Sequence, residues 1–299
     1  MPRMPSQADL DFHIVDVFAT TPFSGNPLAV VLGGESLSTG QMQRIATQFN
    51  LSETAFPLFG QPEAEAAGAD YLLRIFTPEV EVPFAGHPSI GTAWLLRELG
   101  RAEPSDGRFV QLCGAGALPV RFDGSMVTLT GGQPTWSGPV DPGLVLAAAG
   151  LDTGDAVGPA LVCGTGLPFA ILPVRDQALP RSHADLSVLR SHEFLGLGTD
   201  GVYVVAWDDL RRPVRARMFA GDVIEDAATG SAALGFGVYL AVTGSLPEGG
   251  AFSVVQGVEM GRTSHLSVYL DAVGGVPTRL TVTGTAVAVA RGQIVVPSG

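Results

Sequence analysis

Cysteine is nearly missing from this chain. Its 299 residues include two, Cys113 and Cys163, with no CxxC pair and no metal-ligand spacing. A disulfide framework is thereby excluded, and the thiols read as two buried side chains in a reducing cytoplasm. Basic charge is also short: 17 Lys and Arg face 29 Asp and Glu, a net charge of −12. Nucleic acid and anionic membranes both need clustered cations, so neither fits as a partner. One uncharged stretch, Ala227–Pro247, is long enough to suggest a membrane span. It is built from Gly, Ala, Ser and Thr instead of Leu and Ile, and reads as a buried helix. Residues 1–9 lack the basic-then-apolar pattern of a signal peptide and read as a frayed tail. HExxH, Walker-loop and GxSxG motifs are absent, so metal, nucleotide and serine-hydrolase chemistry find no support. "GLGTDG" (196–201) has the form GxGxxG, but it leads into strand-like "VYVV" where a dinucleotide site needs a helix.

What is abundant is Gly (39) and Pro (22), which suits many short strands joined by tight turns. The length corresponds to roughly two domains by the ~150-residue prior. "FHIVDVFA", "LAVVL", "TAFPLF", "DYLLRIF" and "VEVPF" read as strands. Ser38 and Gln41 have capping-box spacing ahead of a helix. The "HPSIGTAWLLREL" segment reads as a second helix, and "VQLCGAGALPVRF" and "MVTLTGG" follow as hairpin strands.

The order then repeats. "GNPLAVVL" (25–32) is answered by "GLPFAILPV" (166–174), and "RIFTPEVEVPFAGHPSIGTAWLL" by "RMFAGDVIEDAATGSAALGFGVYL". Arg74, Phe76, Glu79 and Val80 fall on Arg217, Phe219, Asp222 and Val223. One inserted residue later, Gly86 falls on Gly230 and Gly91 on Gly235. Two matches in the same order favour duplication, hence two similar α/β domains with a ligand cleft between them. The last strand pattern, "TVTGTAVAVARGQIVV", is expected to return to one of the domains.

The repeat gives meaning to a few polar residues. "AGHPSIG" and "ATGSAALG" each open an apolar, small-residue helix with a Gly-containing turn. A helix start presents unpaired N–H groups and partial positive charge, suited to a carboxylate. Read alone, His87 would be a ring satisfying its own helix; with Gly86 to admit a ligand and Pro88 to fix the helix start, it reads as a site residue. Asp226, beside Glu225 at the end of an apolar strand, is either a plain N-cap or an acid placed to hold an amine or shuttle a proton. Glu53 is either a surface loop residue or, among Leu51, Ala55 and Phe56, a desolvated carboxylate suited to general acid/base work. His13, His183, His192 and His265 have no supporting neighbours and read as structural.

The stretches "FSGNPLAVV", "MQRIATQFNLSETAF", "RIFTPEVEVPFAGHPSIGTA", "MFAGDVIEDAATGSAA" and "VQGVEMGR" closely resemble the PhzF family of phenazine-biosynthesis isomerases, in the same order and spacing from about residue 11 to the C-terminus. The resemblance implies the diaminopimelate epimerase fold: α/β (α+β), with two pseudo-symmetric domains, each a curved, mainly antiparallel sheet wrapped around a central helix. The expected domains are 10–131 plus 285–299, and 132–284, with the break near Gly131–Gln133 and central helices at 87–99 and 231–243. It also implies cofactor-independent isomerisation of a small amino/hydroxy carboxylate such as trans-2,3-dihydro-3-hydroxyanthranilate. Glu53 matches the family's proton-shuttling glutamate, His87 its active-site histidine and Asp226 its active-site aspartate. Gly230 and Ser231 match its carboxylate-binding pair, and Ser52 and Gly86 match pocket-lining positions.

The paired cysteines that epimerases of this fold use are absent, since Cys113 and Cys163 lie outside both helix-start motifs. The alternatives to the isomerase are an amino-acid epimerase or racemase using Glu53 with Asp226 or His87, and a family member that binds a ligand without turnover. The expected setting is a cytoplasmic homodimer acting on a small carboxylate, with no metal, cofactor, nucleic acid or membrane partner.

Overall fold

The computed structural model describes residues 9–101, 105–221 and 223–298. The tail expected over residues 1–9 lies, Asp9 apart, outside them, as does Asp222, the residue matched to Glu79. The described chain divides into two compact units. The first comprises the chain up to Phe23, Pro27–Val127 and the segment from Thr285 onward; the second comprises Ser24–Asn26 and Thr128–Gly284.

The first unit opens with β1 (Leu10–Val17), β2 (Asn26–Val31), α1 (Thr39–Phe49), β3 (Glu53–Leu58), α2 (Pro62–Ala66), β4 (Tyr71–Phe76) and β5 (Glu81–Val82). It continues through α3 (Gly86–Glu98), β6 (Arg108–Cys113), β7 (Gly116–Asp123) and β8 (Met126–Thr130), the last of which runs into the second unit. That unit holds β9 (Thr135–Pro139), α4 (Pro142–Ala148), β10 (Leu161–Gly164), β11 (Pro168–Pro173), α5 (Leu186–Leu189) and α6 (His192–Leu195). It ends with β12 (Val202–Ala206), β13 (Val214–Ala220), β14 (Ile224–Asp226), α7 (Gly230–Val242), β15 (Gly250–Gln256), β16 (Ser264–Val273) and β17 (Val276–Gly284). The last strand, β18 (Ala286–Ile294), pairs antiparallel with β1.

Local chemistry accounts for several boundaries. Ser38 and Gln41 form the reciprocal capping box at the start of α1, and Asn50 ends that helix in the left-handed conformation with φ 51°. The strand read over "VEVPF" shrinks to Glu81–Val82, because Pro83 has no N–H to extend a ladder. The terminal strand pattern is broken at Thr285, whose carbonyl accepts from the Phe18 N–H and whose hydroxyl donates to the Ser125 carbonyl. "GLGTDG" runs into β12, so no helix follows it.

The duplication is visible in the pairing. In the first unit β2 runs parallel to β3, β3 is antiparallel to β4, β4 pairs with both β5 and, in parallel, β6, and β6 is antiparallel to β7. The second unit repeats every step with β11, β12, β13, β14, β15 and β16. The Arg74–Glu81 ion pair recurs as Arg217–Glu225, each closing two hydrogen bonds of 2.6–2.8 Å across its hairpin.

In each unit a central helix fills the space against the sheet. Both α3 and α7 are buried on nearly every side, which is why their sequences show no polar face. Close approach explains the matched glycines. A Cβ on Gly91 would lie 2.6 Å from Val17 and 2.8 Å from Leu28, and one on Gly235 would lie 2.7 Å from the Cys163 carbonyl. Phe236 on α7 packs edge-on against Trp207 and Phe252, at ring separations of 5.1 and 5.6 Å. Each such buried side chain contributes about 1.5–3 kcal/mol. Among the described residues no helix is long and apolar enough to cross a membrane.

Candidate active site

In the first unit, the left-handed Asn50 turns the chain out of α1, and Ser52 leads into Glu53, the first residue of β3. Pairing with Leu28 of β2 fixes the Glu53 backbone. The start of α3 lies beside it. His87 is buried, and its Nε2 is 3.4 Å from the Glu53 Oε2, whose side chain keeps 19% exposure. Two effects oppose each other on this ring. A carboxylate favours imidazolium, whereas burial disfavours any charge; burial dominates and pulls the pKa from 6.5 to about 3. At neutral pH the contact is therefore one between Glu53 and a neutral imidazole.

Behind His87, the Ser89 hydroxyl donates to the Ala85 carbonyl at 2.9 Å and accepts from Gln111 Nε2 at 2.8 Å. All of Ser89 and Gln111 is buried, so the helix start is held from inside the unit.

In the second unit, β14 delivers Asp226 and the chain then enters α7 at Thr229, Gly230 and Ser231. Asp226 is not the helix cap; Thr229 is. The Asp226 carboxylate instead accepts on both oxygens: Oδ1 from Asn26 Nδ2 at 2.7 Å and Oδ2 from the Thr229 hydroxyl at 2.6 Å. Fully buried Gln256 donates from Nε2 to the Asp226 carbonyl at 2.8 Å and to Thr229 Oγ1 at 3.0 Å. Its Oε1 accepts from the Thr229 N–H and the Tyr203 hydroxyl, each at 3.2 Å. Glu225, the neighbouring candidate acid, is committed to Arg217.

The helix starts differ in a telling way. α1, α4, α5 and α6 are capped by Ser38, Asp141, Asp185 and Ser191, whereas the two long central helices α3 and α7, like the five-residue α2 with Pro62 in its first turn, begin with no side-chain cap. First-turn N–H groups have no intrahelical acceptor. At α7 those of Gly230 and Ser231 thus suit an anion, reinforced by the helix dipole.

The expected site residues therefore gather into two groups: Ser52, Glu53, Gly86 and His87 in one unit, and Asp226, Gly230 and Ser231 in the other. Sequence reasoning missed Asn26, Thr229 and Gln256. Asn26 and Gln256 stand inside "FSGNPLAVV" and "VQGVEMGR", which marks them as unusual, but their link to Asp226 crosses 200 and 30 residues of chain. Both cysteines are buried and free. Burial raises the thiol pKa of Cys113 and pushes that of Cys163 up to about 12, which keeps both protonated at neutral pH and leaves no thiolate to act as a base. Among the described residues no three His, Cys, Asp or Glu side chains are placed to hold a metal ion.

Two pseudo-symmetric α+β units thus each hold a central helix without a side-chain cap, one of them starting beside a carboxylate–imidazole pair. The chain matches the phenazine biosynthesis-like protein family over residues 15–292 and belongs to it. It is 35% identical over 294 residues to the trans-2,3-dihydro-3-hydroxyanthranilate isomerase of Pseudomonas fluorescens, covering 95% of this chain and 99% of that one. The crystal structure of a PhzF-family phenazine biosynthesis protein from Bacillus anthracis superposes with a TM-score of 0.85 at 25% identity, over 96% of this chain and 99% of that one. A hydroxyproline epimerase from Agrobacterium vitis shares the fold at 15% identity, with a TM-score of 0.65 over 99% of this chain and 95% of that one.

Proposed function

We propose that this isomerase moves a proton within a small cyclic amino/hydroxy carboxylate of the trans-2,3-dihydro-3-hydroxyanthranilate type, with Glu53 as general base and then general acid. The observation that carries the proposal is the Glu53 carboxylate beside a buried, neutral His87. A carboxylate next to an imidazolium would be stabilised as an anion and lose basicity; next to a neutral ring it keeps it.

In this reading the Gly230 and Ser231 N–H groups bind the carboxylate of the substrate molecule, and Asp226 holds its amine. Glu53 takes the proton from C3 of the diene, the double bonds shift, and the same carboxyl group returns the proton to C1. His87 donates a hydrogen bond on the hydroxyl side, and Ser52 and Gly86 line the place where the ring lies. The enol so formed tautomerises to a ketone. No atom is gained or lost, and the chemistry needs no electron acceptor. The 35% identity to an enzyme named for this substrate supports the choice of substrate class. The cytoplasmic homodimer belongs to the same proposal through the family resemblance; sedimentation equilibrium tests the dimer.

Incubation with trans-2,3-dihydro-3-hydroxyanthranilate in D2O is the test. Incorporation of deuterium at C1 with a shifted double bond supports the isomerase. Exchange with inversion of a carbon centre in amino acids supports an epimerase instead, and binding without exchange leaves a ligand-binding protein.

A further inference from the structure

The motif "VQGVEMGR" has no part in the proton transfer described above, yet its Gln256 and Gly257 lie against the Asp226–Ala227 backbone. Gln256 holds the Asp226 carbonyl. Gly257, at φ +74°, lies so close to Ala227 that a Cβ would meet its carbonyl oxygen at 2.7 Å. At the far end of the turn, Arg262 donates from Nε to the Gly25 carbonyl at 2.8 Å and from Nη2 to the Ser24 carbonyl at 3.0 Å. The Gly25 N–H in turn donates to the Thr263 carbonyl at 3.1 Å. These bonds pin Ser24–Asn26 within the second unit, and that is where Asn26 meets Asp226.

We propose that Asn26, anchored by Arg262 through Ser24 and Gly25, is the positioning residue that fixes the Asp226 carboxylate. Asn26 is 1% exposed, and its Nδ2 group donates to Asp226 Oδ1 at 2.7 Å and to the Ala228 carbonyl at 3.0 Å. An amide turned the other way would set its oxygen against two acceptors, so the orientation is determined. With Thr229 on Oδ2, both carboxylate oxygens accept from protein donors, and rotation about the Cβ–Cγ bond would break both of these bonds. Ala228 lies on the way into α7, so the same amide ties Asp226 to the backbone that presents Gly230 and Ser231. Orientation of the acid and of the helix start are thereby coupled.

The inference rests on the proposed role of Asp226, and its test has arms that do not. In the wild-type protein both Asn26 Nδ2 protons should exchange slowly with water and show separate, shifted NMR signals; exchange at the rate of an exposed amide overturns the proposal. In folded Asn26→Ala, the Asp226 ¹³Cγ signal should move and its side chain should populate more than one rotamer; an unchanged signal overturns the proposal. Catalytically, Asn26→Ala should lower kcat/KM by about 10–100-fold, the range for a lost hydrogen bond to a charged group. Asn26→Asp keeps the shape but turns the donor into an acceptor, and should be worse than Ala. If Asn26 only filled space, Asp would instead be the milder change, and that order refutes positioning. Wild-type protein without deuterium exchange on any candidate substrate would sink the functional reading alone, because the NMR arms still decide whether Asn26 orients Asp226.

Discussion

Val82 holds in the first unit the position that Asp226 holds in the second. Val82 pairs with Ile75 and Asp226 with Met218 across equivalent hairpins, and the residue before each, Glu81 or Glu225, closes on Arg74 or Arg217. Glu53 has no counterpart in the other direction. The parallel registers Ala29–Thr54 and Ala170–Val202 put Gly201 at its place, where a Cβ would lie 2.5 Å from the Phe219 carbonyl. His87 and Ser231 are likewise equivalent, each the second residue of its central helix. One inherited frame thus carries a carboxylate and an imidazole in one unit, and a carboxylate and a helix start without a side-chain cap in the other.

Glu53→Gln retains size and hydrogen bonding but removes the proton acceptor. Turnover should fall by at least the ~10²–10⁴-fold typical of a general acid/base group, with substrate binding preserved. Rapid-quench kinetics with D2O exchange measures the first and calorimetry the second. An active variant with normal exchange would hand the proton transfer to Asp226 or His87.

Ser231→Pro removes one N–H from the uncapped start of α7. Affinity for an aromatic amino-hydroxy carboxylate that cannot isomerise should weaken about 10–100-fold, the value of one charge-assisted hydrogen bond. Proton transfer at saturating substrate should change far less. Isothermal titration of the analogue would show unaltered affinity if the carboxylate binds elsewhere.

The buried imidazole makes stability depend on pH. His87 titrates at about 3 in the folded protein against 6.5 when unfolded. Between those values the unfolded chain binds the extra proton. Its contribution is therefore complete above pH 6.5 and is lost as pH falls toward 3, by up to about 1.4 kcal/mol per pH unit. Urea melts of wild type and His87→Gln between pH 7 and 4.5 isolate this term, and the variant should show the shallower slope. Equal slopes would mean that the ring is charged in the native state.

Two glycines that look alike in the sequence should respond oppositely to alanine. Gly235→Ala forces a methyl to 2.7 Å from a backbone oxygen and should cost about 1–3 kcal/mol. At Gly86 a Cβ meets nothing within 4 Å, and alanine suits a helix, so stability should hold or rise by under ~1 kcal/mol. Activity of Gly86→Ala should nevertheless fall if, as proposed, Gly86 lines the place where the substrate ring lies. Thermal melts and turnover together check both; full activity in Gly86→Ala would remove that position from the site.

By itself the sequence determined what local rules and repetition encode. The capping box at Ser38 and Gln41, the buried helix within Ala227–Pro247, the paired helix starts and the equivalence of Arg74 with Arg217 all follow from spacing, composition or self-similarity. Those signals survive in a chain because neighbours within a few residues impose them. Only the tertiary structure decided which polar groups meet. His87 reaches Glu53 because β3 and α3, which are separated by 27 residues, pack in one unit. Asp226 meets Asn26 across 200 residues because Arg262 and Thr263 hold Ser24–Asn26 within the second unit. The neutral state of His87 is likewise a product of burial, which is a property of the packed core and not of "AGHPSIG". Distance along the chain carries no penalty once the core has formed, so such contacts leave no periodic or local trace from which a sequence could announce them.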